Sequence, residues 1–136
     1  MSEYGFDYHD ASDEVVAIRV ELADQACTEL RRAGLPVFLY DSRVEERAGA
    51  VVYVDRGADV VCGVSVGWSC DPDMIQAAAD SLQRGDSAAS ISRYPGVVAM
   101  HMRGALIGIL TSAGFTAVAD DDLNPDHVQV LGRESV

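Results

Sequence analysis

The sequence predicts a single α+β domain: a mostly antiparallel five-stranded sheet with helices packed on it, in the order α-β-β-β-α-α-β-β. Three observations predict it. Apolar residues recur at helical spacing in three stretches. Five short runs rich in β-branched and aromatic residues are separated by turn-forming residues. At 136 residues the chain suffices for one ordinary core and not for two.

The first helix is expected over residues 12–34, SDEVVAIRVELADQACTELRRAG. Ser12 or Asp13 can cap it, and Asp13 and Glu14 place negative charge at the positive end of the helix dipole. Arg31 and Arg32 occupy the last turn, Gly34 suits the residue after the cap, and Pro36 forbids continuation. Val15, Ile18, Leu22, Ala26 and Leu30 form the apolar stripe, with Ala23, Cys27 and Ala33 beside it.

Next come PVFLYDS, a charged connector RVEERAG, then AVVYVDR, the turn GAD and VVCGVSVGW, expected as three antiparallel strands. In the third, Val60, Cys62, Val64, Val66 and Trp68 share one face, while Val61, Gly63, Ser65 and Gly67 share the other. Strand interiors resist glycine, so Gly63 and Gly67 predict a bulge or a close approach by another group.

A second helix follows, capped by Asp71, opened by Pro72 and closed by Gly85, with Met74, Ile75, Ala78 and Leu82 as its stripe. Residues 86–96, DSAASISRYPG, read as a connector in which Ile91 and Tyr94 offer packing groups.

The run VVAMHMRGALIGILTSAGF, residues 97–115, has the length of a membrane span but holds His101 and Arg103. A central Arg costs about 2.5–3.5 kcal/mol on the insertion scale. It is therefore expected as a core helix whose heavy arc, Val98, Met102, Leu106, Ile109, Leu110 and Ala113, faces the sheet. Gly104 and Gly108 lie on the thin arc and cost roughly 1 kcal/mol each in helix stability. Close helix packing there is expected, against Ala77–Ala79 or against the same face of a second copy, making a homodimer seam, with simple exposure as the remaining alternative.

FTAVA and HVQVLG read as the last two strands across the acidic turn DDDLNPD. Asp120, Asp122, Asn124 and Asp126 alternate as a calcium loop begins, but Pro125 stands where its Gly belongs and Leu131 where its closing Glu belongs. A structural turn is the better reading. In domain terms, residues 1–11 read as an N-terminal arm, 12–132 as the domain and 133–136 as a tail. Tyr4, Phe6 and Tyr8 alternate in the arm as a docking strand would.

The chain carries 22 acidic residues against ten basic ones, all Arg, for a net charge of −12. That disfavours nucleic acid and anionic membranes and suits a basic protein partner. Cys27, Cys62 and Cys70 form neither a disulfide framework nor a zinc knuckle, and the opening is acidic and polar rather than a signal peptide, so a reducing cytoplasm is expected. His9, His101 and His127 lack ligand spacing. No phosphate loop, dinucleotide fingerprint or nucleophile elbow is present, and lysine is absent. Cys70 precedes a helix that favours a thiolate, while Asp71 and Asp73 oppose one. Neither catalytic residues, metal nor cofactor is expected.

Strands PVFLY and AVVYV are apolar on both faces. A sheet covered by helices on one side would leave Val51 and Tyr53, or Phe38 and Tyr40, in water according to register. Trp68, at a strand end, is expected to anchor a core edge or, alternatively, to stand exposed in a binding surface, and these four with Trp68 are the candidate partner-binding residues. The function expected from them is a non-catalytic protein-binding module of the chaperone, immunity, antitoxin or regulatory adaptor kind. The alternative is a small-ligand sensor or enzyme with a pocket near Trp68, Cys70 and His101.

The element order, helix, three strands, helix and two strands, resembles the type III secretion chaperone-like fold. That resemblance implies a small acidic cytoplasmic dimer that holds a partner polypeptide on its surface. The tail DDDLNPDHVQVLG after AGF is similar to that of small uncharacterised acidic proteins from high-G+C bacteria, which implies no activity.

Overall fold

The computed structural model describes residues 10–45, 47–58, 63–86, 89–120 and 126–134. Helix α1 (Asp13–Arg32) begins where the capping chemistry directs: Ser12 Oγ accepts the Val15 N–H at 3.2 Å. Its buried stripe is Ala23, Ala26, Cys27 and Leu30, so burial starts later than periodicity suggests. Val15 and Ile18 are exposed, Ile18 at 69%. Polar bonds hold this part of the helix instead. Arg19 Nη1 donates to the carbonyls of Asp55 at 2.8 Å and Gly57 at 2.9 Å, and a β-carbon on Gly63 would collide with the Arg19 side chain. The close approach expected at Gly63 is this arginine.

The sheet contains β1 (Val37–Leu39), β2 (Gly49–Val54), β3 (Val64–Ser69), β4 (Phe115–Ala119) and β5 (Val128–Arg133), in the spatial order β1-β2-β3-β5-β4. It is mixed. β2 pairs antiparallel with β3, and β5 with both β3 and β4, but β1 runs parallel to β2. This corrects the expectation of three antiparallel strands at the start of the sheet. Parallel neighbours ordinarily need a long crossover, yet β1 has only three residues, so its return path spans roughly 10 Å and connector 40–48 covers it. The entry into β2 demands glycine: Gly49 sits at φ +141°, and a β-carbon there would lie 2.7 Å from the Pro36 carbonyl oxygen. Among the described residues, β3 pairs with β5 at Ser65 with Gln129 and Val66 with Val128.

Helix α2 (Pro72–Gln83) is capped by Asp71 Oδ1, which accepts the Asp73 N–H at 2.9 Å. It packs on α3, and its buried residues are the small Ala78 and Ser81, while Ile75 and Leu82 are exposed. The reason is the polar latch that joins the two helices. Ser92 Oγ lies 2.7 Å from Ser81 Oγ and 2.8 Å from the Asp86 carbonyl oxygen.

Helix α3 (Ser90–Ser112) begins inside the stretch expected as a connector and carries Pro95 within it. Proline removes one backbone donor, and the signal Pro95-Gly96 reads locally as a break. Tertiary contacts override it, with Ser92 latched to α2 and Ala99 buried. Leu106 and Leu110 are fully buried, and Ile107, Ile109 and Ala113 pack beside them. Gly104 and Gly108 are exposed, and a β-carbon on either would meet nothing within 4 Å. The Ala77–Ala79 run therefore does not pack against them.

The core joins Ala23, Ala26, Cys27, Leu30, Leu106 and Leu110 of the helices to one sheet face, formed by Val37, Ala50, Val52, Val64, Val66, Phe115, Ala117, Val128 and Val130. The folded unit is wider than 12–132. Asp10 bridges Gly57, the Ala11 N–H donates to Arg56 O at 2.7 Å, and β5 continues to Arg133. The Arg133 guanidinium lies 4.6 Å from the Phe115 ring centroid, donates to Ala113 O and pairs with Glu29 at 3.2 Å. The arm residues Tyr4, Phe6 and Tyr8 lie outside the described residues. Among the described residues, no helix is long and apolar enough to cross a membrane.

Two substitutions test this packing in urea denaturation. Leu106→Ala is expected to cost about 2–5 kcal/mol. Gly104→Ala and Gly108→Ala are each expected to stabilise by about 0.5–1 kcal/mol, because the new methyl enters open space on a helix.

Candidate functional site

The sheet face away from the helices is shaped by β3. Its residues there are Ser65, Gly67 and Ser69, while Val64, Val66 and Trp68 point to the helices. Register then decides what gathers above this low strand. Phe38 pairs with Val51, and Tyr53 with Ser65, so Phe38, Val51 and Tyr53 share the open face. Tyr40 follows β1 on the same side, its N–H donating to Val52 O at 2.8 Å.

His127 immediately precedes β5 and lies across Gly67. A β-carbon on Gly67 would sit 2.7 Å from His127 Nε2. The imidazole thereby reaches over β3 and stacks on Tyr53, with ring centroids 5.2 Å apart and planes at 24°. Tyr40 stacks on Tyr53 in turn, at 5.0 Å and 30°. The result is a three-ring ladder crossing the sheet, and the close approach anticipated at Gly67 is its histidine.

Three recesses border the ladder, one of which, beside β2 and α1, is lined by Tyr40 and Tyr53 together with Asp24 and Arg56. A cleft of about 50 Å³ lies under connector 40–48, between Val44 and Glu45 on one side and Phe38, Val51 and Tyr53 on the other. Arg47 caps the neighbouring Phe38 ring, with its guanidinium carbon 4.5 Å from the centroid. Asp41, in the same connector, has its carboxyl held below the usual range by hydrogen bonds from the Arg43 guanidinium and then from the Arg43 backbone N–H. An open groove of about 380 Å³ runs from the ladder to the α2–α3 pair, among Tyr53, Trp68, Cys70, Pro95, Asp126 and His127.

The candidates thus fare unequally. Phe38, Tyr40, Val51 and Tyr53 come together on one face, rather than as alternative pairs. Val51 is 5% exposed and serves as floor, not as a surface in water, whereas Tyr40 is 55% exposed. Trp68 belongs to the helix-covered face, half-buried against the core beside Ala50, with its edge in the groove. Cys70 shares that groove, but His101 is exposed on α3 and does not line it. His127 stands there instead. Ligand spacing could not reveal this histidine; the bare Gly67 was its one trace in the sequence.

Cys70 is not poised as a nucleophile. It is buried, Sγ lies 3.6 Å from the Pro95 carbonyl oxygen, and burial pushes its thiol pKa up. Burial likewise raises Cys27, against a smaller lowering by Arg31. Among the described residues, no group of three or more His, Cys, Asp or Glu is arranged to hold a metal ion. Asp120 is buried and its N–H donates to His127 O at 3.1 Å, fixing the strand end that carries the imidazole. Asp122 and Asn124 of the acidic turn lie outside the described residues. No protein-family model, curated protein or solved structure matches this chain.

Two outcomes follow from this geometry. Gly67→Ala is expected to destabilise by about 1–3 kcal/mol through overpacking against His127, with most of that cost removed in a His127→Ala background. A thermal double-mutant cycle checks it. In a Cys62→Ser variant, the two remaining thiols should react with a disulfide reagent at pH 8 far more slowly in native protein than in urea. Burial and raised pKa values both suppress the reacting thiolate.

Proposed function

We propose that this protein is a non-catalytic protein-binding module, of the chaperone, immunity, antitoxin or regulatory adaptor kind, that holds a basic partner polypeptide against its open sheet face. One observation carries the reading: the helices that build the core all lie on one side of the sheet, and the other side presents the Tyr40–Tyr53–His127 ladder. Aromatic rings supply contact area at low entropic cost and are favoured as interface anchors. The net charge of −12 supports a basic partner and disfavours nucleic acid and anionic membranes. The element order, which resembles the type III secretion chaperone-like fold, agrees with this use. The two free, buried thiols agree with a reducing cytoplasm. A homodimer through the exposed Gly104–Gly108 stripe belongs to the same reading.

The groove beside Trp68 and Cys70 favours a second reading, a small-ligand sensor or enzyme, because it is a recess with convergent polar groups.

Affinity capture from native lysate, with light scattering on the eluted complex, tests the first reading. The expected result is a basic protein retained by the wild type and lost with Tyr40→Ser combined with Tyr53→Ser. A strict monomer that retains no protein overturns it.

A further inference from the structure

The recesses of this molecule differ in the charge of their lining. Those at the β1 edge, beside β2 and α1, and between α1 and β5 are lined in part by Arg31 and Arg47, by Arg56, and by Arg19 respectively. Three border the aromatic ladder: the recess beside β2 and α1, lined by Tyr40 and Tyr53 with Asp24 and Arg56, the cleft with Asp41 and Glu45, and the groove with Asp126. Of these three, the cleft and the groove carry carboxylates and no arginine among their lining residues. The groove adjoining the ladder combines three π systems, Tyr53, His127 and Trp68, with the Asp126 carboxylate and the Ser69 hydroxyl.

That combination has a chemical meaning. Aromatic faces carry negative potential and attract cations, most strongly where water is partly excluded. A guanidinium is planar and weakly hydrated, so it stacks on a ring while its edge donates to a carboxylate. An ammonium shares the charge but not the plane. From the juxtaposition of these rings with Asp126, we infer that the groove between β3, the start of β5 and the α2–α3 pair is an arginine-binding site, which receives an arginine side chain of the basic partner. The inference rests on the protein-binding reading above and names the residue that the open face selects. The volume of about 380 Å³ and the openness of the groove along the ladder fit one long side chain entering from a segment laid on the sheet face.

Trp68 is the single tryptophan, so its fluorescence reports this groove. The probes are N-acetyl-arginine amide and its neutral isostere N-acetyl-citrulline amide. Saturable quenching or shift of Trp68 emission by the arginine probe is expected, with affinity at least about fivefold above that for citrulline, as a cation–π contact of about 1 kcal/mol requires. Asp126→Asn should weaken the arginine probe several-fold and leave citrulline unchanged, with an unaltered thermal unfolding curve as the folding control. Tyr53→Leu supplies an independent variant, which should lose the preference for arginine over citrulline. No saturable response, equal affinity for both probes, or full arginine binding by Asp126→Asn overturns the inference. Partner capture from lysate keeps the two readings apart. A retained partner with a silent arginine probe sinks the arginine site alone. A specific arginine response without any captured protein sinks the protein-binding reading and leaves the site.

Discussion

The thinness of β3 on one side is the constraint on which the rest depends. Val64 and Val66 are completely buried on the helix side, and Trp68 continues that row. Across the strand, Ser65, Gly67 and Ser69 leave a trough, and only through that trough does an imidazole from β5 reach a phenol on β2. A bulky residue at Gly67 would occupy the imidazole's place. The same alternation thus closes the core beneath the sheet and opens a working surface above it.

Helix punctuation was the most legible part of the sequence, because caps act over three or four residues. Ser12, Asp71 and Pro72 begin their helices as local chemistry requires. Strand count was legible for a similar reason, since β-branched runs leave few alternatives. What depended on distant partners was not. The direction of β1 is set by the return of connector 40–48 and by Gly49 packing on Pro36, neither of which has a periodic signature. The start of α3 was hidden by Pro95, whose local cost is outweighed by the Ser81–Ser92 latch and the burial of Ala99. Of the site, the apolar strand faces pointed to Phe38, Tyr40, Val51 and Tyr53. The exchange of His101 for His127 was illegible because one lies on an outward helix face and the other gains its place from strand pairing more than 50 residues from Tyr53 in sequence.

The arginines have a structural role that clarifies the charge of the surface. Arg19, Arg31 and Arg133 each donate to backbone carbonyls: Arg19 at the β2–β3 turn, Arg31 at Val37 and Arg133 at Ala113. Such bonds satisfy chain ends and turns that would otherwise rely on water. They also commit part of a small cationic complement to the scaffold. The Arg31 bond to Val37 O additionally occupies part of the outer edge of β1, where an open strand invites pairing with another chain.

The sheet is built from two ribbons, β1-β2-β3 and β5-β4, joined where β3 meets β5, among the described residues at Ser65–Gln129 and Val66–Val128. A seam between two ribbons is a natural place for sub-global opening, and backbone amides near it should exchange with solvent sooner than those within either ribbon. The stacked rings of Tyr53 and His127 belong to opposite ribbons and act as a clasp across that seam. An occupant resting on both would therefore slow hydrogen exchange along β5, far beyond the atoms it touches.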